Sequence, residues 1–265
     1  MIRLVGIDVD GTLVGSSGIV DPIVWRAAER ARAAGIHLTL CSGRPAFGSA
    51  LQYAQRLDAG GWHIFQNGAS IVNLASGLSH SSNLSADCVE FLIAQSRSTG
   101  HVLELYSDDS YVTESVGAWA QEHAHLLGVP FEPMPLQSLQ RPIVRAQWLL
   151  SPADAIEAMA HAPAGLEVAQ STSPLMPDTR FVGLTPKGAN KGNAIQSVAT
   201  QYGLTLPEVM YVGDADNDLS ALRMVGYPIA MANASASVLQ AARRSIGHVD
   251  AGGLAEALEL AIAGD

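Results

Sequence analysis

Apolar runs of four or five residues that stop abruptly at a carboxylate or a glycine recur at both ends of this chain. Residues 4–7 (Leu4-Val5-Gly6-Ile7) form one, and the chain turns polar at once with Asp8 and Asp10. So short a run, bounded in this way, predicts a strand buried on both faces. Asp21-Pro22 reads as an N-cap with proline at the first helical position. The Ala- and Arg-rich helix that follows is expected to reach about residue 34, where Gly35 stops it. Residues 36–41 alternate apolar and small polar side chains and predict a second strand. Ser42-Gly43-Arg44-Pro45 is then expected to turn into another helix with proline near its start. Residues 62–66 predict a third strand, ending at Asn67-Gly68.

The last third repeats this grammar. Helices are expected over residues 190–202, 217–225, 235–243 and 252–263, and strands over 209–212 and 227–231. Strands alternating with helices imply a mostly parallel, doubly wound sheet covered on both faces, an α/β fold. The middle differs. Its strands look amphipathic and come in pairs, 101–106 with 111–114 and 145–150 with 166–169. Helices are expected at 86–99, 116–127 and 152–161, and prolines collect at the margins. That pattern suggests a small α+β domain, inserted at 81–184 into a core made of 1–80 and 185–265.

Composition narrows the function. Apolar residues make up 48% of the 265 and charged residues 15%, a globular balance. The formal charge is −10 with no basic stripe, which disfavours nucleic acid and anionic membranes as partners. The two cysteines, Cys41 and Cys88, are too few for a disulfide framework. No stretch reads as a signal peptide or a membrane span. A soluble protein of the reducing cytoplasm is expected.

Four polar segments lie at or just after the carboxyl ends of expected core strands, the edge where open α/β sheets bind ligands. In Asp8-Val9-Asp10-Gly11-Thr12, one carboxylate can attack an electrophile while the other moves protons, and both can ligate a hard cation. Each segment also has a plainer reading, here a polar turn. Ser42-Gly43-Arg44 offers a hydroxyl and, if a helix starts there, free N–H groups for an anion; an ordinary N-cap would look the same. Lys191 opens an expected helix, where a cation opposes the macrodipole unless an anion lies nearby. Lys187 competes for that role on residue type. Gly213-Asp214-Ala215-Asp216-Asn217-Asp218 concentrates negative charge at one strand end, which a divalent cation would relieve. Asp214 and Asp218 are the expected metal-positioning residues, and Asp216 is expected to face solvent. Cys41 is expected to be buried in its strand, His123 and His125 do not share a helix face, and Asp108-Asp109 reads as a hairpin turn.

Together these segments resemble the signatures of haloacid-dehalogenase-like (HAD-like) phosphatases, in the right order across nearly the whole chain. Asp8-Val9-Asp10-Gly11-Thr12-Leu13 resembles DxDGT(L), Ser42-Gly43-Arg44 the Ser/Thr-Gly-Arg motif, Lys191-Gly192 the third motif and Gly213-Asp214 to Asn217-Asp218 the GDxxND motif. The long insertion between Arg44 and Lys191, with Asn67-Gly68-Ala69 before it and Ala230 to Ala234 after the fourth motif, resembles the Cof-type hydrolases with a class IIB cap. Ala232 stands where that resemblance leads one to expect glycine.

The resemblance implies a Rossmann-like core and a cap that sets substrate choice. It implies Asp8 as a phosphoryl-accepting nucleophile and Asp10 as general acid/base. Mg²⁺ would be held by Asp8, the Asp10 carbonyl and Asp214. Ser42, Gly43, Arg44, Lys191 and Asn217 would bind the phosphoryl group of a small phosphomonoester. A phosphomutase of the same superfamily and a phospho-accepting regulatory module without turnover are the rival readings. Asp10 argues against the second, because a pure receiver gains little from another carboxylate poised for proton transfer.

Overall fold

In the computed structural model, which describes residues 1–173 and 175–264, Leu4–Asp8 is a strand (β1) buried at every position. Pro22–Ala33 follows as a helix (α1), and the Asp21 carboxylate accepts the Ile23 N–H at its start. Next come His37–Cys41 (β2), Gly48–Asp58 (α2), Trp62–Phe65 (β3) and Ser70–Asn73 (β4). The middle carries Ala86–Thr99 (α3), Val102–Tyr106 (β5), Tyr111–Thr113 (β6), Ala118–Leu127 (α4), Arg145–Leu150 (β7), Pro152–Ala160 (α5), Leu166–Ser173 (β8) and Met176–Pro186 (β9). The chain finishes with Lys191–Gln201 (α6), Val209–Gly213 (β10), Leu219–Leu222 (α7), Tyr227–Met231 (β11), Ala236–Ala241 (α8), Arg244–Ile246 (β12) and Leu254–Ala263 (α9).

These elements gather into two units. One comprises Met1–Arg44, Ala50–His80 and the chain from Asn190 onward; the other comprises Pro45–Ser49 and Ser81–Ala189. The first holds a seven-stranded sheet in the order β12-β11-β10-β1-β2-β3-β4, parallel throughout except for the last pair. This is the expected doubly wound α/β sheet. In its register Asp8 lies opposite Cys41, and Ile7 opposite Val212. The strand ends that lead into Ser42 and Asp214 therefore flank Asp8 at the carboxyl edge. Leu4, Val209 and Tyr211 pack with Ile195 and Val198 of α6 and Leu222 of α7 in its core. Each such side chain contributes about 1.5–3 kcal/mol through burial.

The second unit is a five-stranded antiparallel sheet, β6-β5-β7-β9-β8. Leu103, Leu105, Trp148, Val182 and Leu184 point to one face and pack with Leu92 and Ile93 of α3 and Ala155 of α5. The opposite face carries a small apolar cluster of Leu149, Met176 and Phe181 beside a buried polar group. There the buried Glu104 carboxylate accepts Tyr106 Oη–H at 2.5 Å and Gln147 Nε2–H at 3.2 Å, and meets His123 Nδ1 at 2.9 Å. The Arg145 guanidinium lies 4.2 Å above the Tyr106 ring.

Several expectations are corrected. The strand at 145–150 does not pair with 166–169; β9 runs between them and bonds to both. Pro177 and Pro186, read as punctuation, sit within β9 near its two ends, where a missing N–H is tolerated. Strands β4 and β12 were not foreseen, and β12 is only three residues long. The helix expected over 217–225 is a short turn followed by the four residues of α7. The helix expected directly after Ser42-Gly43-Arg44 starts only at Gly48. Phe47 is instead packed against Tyr106 and Tyr111 in the second unit, with ring centroids 6.4 and 6.0 Å away.

Gly192, in the first turn of α6, lets that helix approach α7. A β-carbon there would collide with the Ser220 carbonyl. Helix propensity alone favours alanine at this position by about 1 kcal/mol, whereas the backbone collision predicts a loss of about 1–3 kcal/mol. Gly192→Ala is expected to lower the thermal midpoint, and a raised midpoint in calorimetry would contradict this packing.

Candidate active site

The carboxyl edge of the first unit's sheet brings three sequence-distant carboxylates and one lysine together. Asp8, at the end of the central strand β1, is buried. Lys191 is the first residue of α6, with its side chain wholly buried. Its ammonium donates to Asp8 Oδ1 at 2.5 Å and to Asp218 Oδ1 at 2.6 Å. A lysine at a helix N-terminus is unfavourable by the macrodipole alone; two carboxylates over-compensate it. Lys187, the competing candidate, is exposed and belongs to the second unit.

Asp218 is the most heavily committed of the acids. Besides Lys191, Oδ1 accepts Tyr211 Oη–H at 2.7 Å, while Oδ2 accepts the N–H groups of Asp214 at 3.0 Å and Ala215 at 3.1 Å. Four donors on one carboxylate fix the whole 214–218 turn. Tyr211 was missed as a functional residue because a tyrosine in an apolar strand looks like core. Asp214 is half-buried, and Thr12 Oγ1 donates to its Oδ1 at 3.2 Å. Asn233 Nδ2 donates to the Gly11 carbonyl at 2.8 Å and reaches Asp214 Oδ2 at 3.4 Å, tying the first motif to the fourth. Gly11, at φ +87°, is packed so closely on the Asp214 carboxylate that a β-carbon would overlap it.

Asp10 lies at the rim, with its side chain 63% exposed. Arg44 grips it in a two-pronged ion pair, Nε to Oδ2 at 3.0 Å and Nη2 to Oδ1 at 2.5 Å. Ser42 is buried, and its Oγ accepts the Arg44 N–H at 3.0 Å in a turn of its own. Because α2 starts later than expected, the anion-binding helix N-terminus read at this motif is not there. Asn217 is exposed and donates to Asn67 Oδ1 at 3.0 Å. Asp216 is exposed and accepts hydroxyls from Ser235 at 3.0 Å and from Ser237. Cys41 is buried, and burial pushes its thiol pKa well up, so it is inert.

Asp8, Asp214 and Asp218 each offer an oxygen within 4.8 Å of the other two, and these hard donors suit a divalent cation. One lysine balances only part of their charge. Burial, followed by repulsion from Asp218, raises the Asp214 carboxyl to about 6. The same causes raise Asp8 well above the ordinary carboxylate range, against the pull of Lys191. Protons are thus favoured where a cation would relieve the same excess charge.

Two outcomes follow. Between about pH 4, where free carboxyls ionise, and the raised value of about 6 at Asp214, the folded chain holds protons that the unfolded chain has released. The resulting stability is complete at the acid end and lost as pH rises through 6. A divalent cation competes with those protons, so the thermal shift it gives should be larger at about pH 7.5 than at about pH 5; equal shifts would contradict the shared site. Lys191→Met should destabilise the fold by about 3–5 kcal/mol in urea unfolding, because two buried carboxylates lose their counter-charge.

The likeness to known proteins agrees with this geometry. A model of the haloacid dehalogenase-like hydrolase family matches residues 5–258. The Bacillus subtilis protein YxeH, named as a phosphatase, is 26% identical over 272 residues, covering 99% of this chain and 100% of its own. A haloacid dehalogenase-like hydrolase from Bacteroides thetaiotaomicron superposes with a TM-score of 0.87 at 26% identity, covering 98% of this chain and 99% of that one. A HAD subclass IIB sugar phosphatase shares the fold with a TM-score of 0.80 at 22% identity, covering 97% and 98%. The family that the motifs resemble is the family found: the chain belongs to the haloacid dehalogenase-like hydrolases.

Proposed function

We propose that this chain is a Mg²⁺-dependent phosphatase that hydrolyses a small phosphomonoester through an aspartyl-phosphate on Asp8. The observation that carries the reading is the buried ammonium of Lys191 on Asp8 Oδ1, beside the Asp214 carboxylate at the edge of the sheet. A nucleophilic carboxylate meeting an anionic ester needs positive charge at that spot. The phosphatase name of YxeH supports the same activity.

In the first step an Asp8 oxygen attacks phosphorus, the phosphorus–ester oxygen bond breaks, and the Asp10 carboxyl gives its proton to the leaving oxygen. In the second, Asp10 takes a proton from water as that water attacks phosphorus. The bond to Asp8 then breaks, releasing inorganic phosphate. Arg44 orients Asp10 through its two hydrogen bonds. Lys191 neutralises charge on Asp8 and on the phosphoryl oxygens, which Ser42, Gly43 and Asn217 also bind. Bound Mg²⁺, held by Asp8, the Asp10 carbonyl and Asp214, would add charge neutralisation. Asp218, which also lies in the carboxylate cluster, serves this set by fixing Lys191 and the 214–218 turn and so positions the metal site.

We assign choice of the ester to the second unit, corresponding to the insert at 81–184. We place the protein in the cytoplasm, since neither Cys41 nor Cys88 is in a disulfide. The test is a panel of small phosphomonoesters assayed with Mg²⁺ and with chelator. A few esters are expected to be turned over, and Asp8→Asn is expected to lower kcat by at least about 10³-fold, as loss of a covalent nucleophile does. Wild-type turnover by Asp8→Asn would remove the nucleophile assignment.

A further inference from the structure

Gln66 and Asn67, at φ +52° and +55°, are the only non-glycine residues with positive φ among those described. They follow β3 at the carboxyl edge of the sheet, and Gly68 continues the left-handed run at φ +101°. Consecutive left-handed residues store strain that the surroundings must enforce, and such strain gathers at functional positions. Here the surroundings are three of the four motifs. The Gln66 N–H donates to the Arg44 carbonyl at 3.0 Å, and the Asn67 N–H to the Ser42 carbonyl at 2.9 Å. Gly68 lies so close to the backbone of Asn190, the residue before Lys191, that a β-carbon would overlap it. The Asn67 side chain reaches the fourth motif, where its Oδ1 accepts Asn217 Nδ2–H at 3.0 Å.

That amide pair has a definite polarity. Asn67 Oδ1 takes one hydrogen of Asn217 Nδ2 and thereby sets which way the Asn217 amide faces. One Asn217 N–H remains, along with both hydrogens of Asn67 Nδ2, and no protein acceptor among the described residues takes them. The Asn67 amide also lies against Gly43: a β-carbon there would sit 3.1 Å from Asn67 Oδ1 and 3.3 Å from Nδ2. Unclaimed donors beside the Ser42–Arg44 turn suit a tetrahedral oxyanion, and being uncharged they add nothing for a cation to repel.

Resting on the phosphatase reading, we propose that Asn67 is a further phosphoryl-positioning residue, its amide acting with Asn217 as one hydrogen-bonding unit for the oxyanion. The strained 66–68 turn keeps that unit in register with the Ser42 turn and the start of α6.

The test uses the full chain with Mg²⁺, p-nitrophenyl phosphate as substrate and inorganic phosphate as inhibitor. Asn67→Gly keeps the backbone conformation at no steric cost, so its thermal midpoint should stay within about 3 °C of the parent. KM and the phosphate inhibition constant should each rise about tenfold, the expected loss for a hydrogen bond to an anion, while kcat moves less. Asn217→Ala should behave alike, and the double variant should be no worse than either single one. Asn67→Asp, which keeps Oδ1 but removes the donors and adds charge, should weaken phosphate binding more than the glycine variant. Wild-type KM and inhibition constant in Asn67→Gly, or single effects that multiply in the double variant, would overturn the proposal. Should the parent turn over no ester, the phosphatase reading fails by itself. Calorimetric titration of inorganic phosphate into parent and Asn67→Gly then decides Asn67 separately, with equal affinities overturning it.

Discussion

One buried ammonium, that of Lys191, organises the first unit. Two carboxylates 2.5 and 2.6 Å away hold it without access to water. Desolvating three charges is costly, and only near-complete pairing offsets the penalty. The arrangement therefore dictates its surroundings. Asp218 is saturated with donors from its own turn and from Tyr211. Asp8 must end the central strand, and α6 must begin where a glycine lets it close on its neighbours. Burial and the same excess of negative charge raise the pKa values of Asp8 and Asp214 above the ordinary carboxylate range.

The second unit contains a carboxylate with a different solution. Glu104 is fully buried, yet it is satisfied by His123, Tyr106 and Gln147, with no lysine or arginine nitrogen among its bonded partners. Those neighbours satisfy it within the unit, where it is completely buried. At Asp8 and Asp214 acceptor capacity is left over. The contrast separates a carboxylate that knits a sheet face to a helix from carboxylates with something left to do.

How much of this was legible in the sequence depended on locality. The parallel core could be read because its strands are short apolar runs that end at carboxylates and glycines, and that pattern is local. Asp8, Lys191, Asp214 and Asp218 could be singled out because their segments fall together at the carboxyl ends of expected core strands, in the order of a known family's motifs. The strand β9 was hidden because Pro177 and Pro186 look like breaks, and only pairing partners far along the chain show that they sit near its ends. The helix after Arg44 was placed too early because proline signalled a start, whereas the helix begins at Gly48, after Phe47. Tyr211 carried no local mark, since a tyrosine in an apolar strand is ordinary until the fold places Asp218 beside it; Asn67-Gly68-Ala69 stood out only as part of the family resemblance, and its tie to Asn217 shows only in the fold.

The order of strands across the first sheet has a consequence for biosynthesis. Strand β1 is made long before β10, one of its two neighbours, and the lysine facing Asp8 arrives after the whole second unit. Chains grow at about 5–20 residues per second, so a nascent chain carries Asp8 for roughly ten seconds or more before Lys191 exists to meet it. During that interval β1 lacks half of its ladder, and an uncovered apolar strand is a hazard for association with other chains. Assembly of the site is thereby tied to synthesis of the segment that carries Lys191, Asp214 and Asp218, and a ribosome that stalls before it leaves a product without the site.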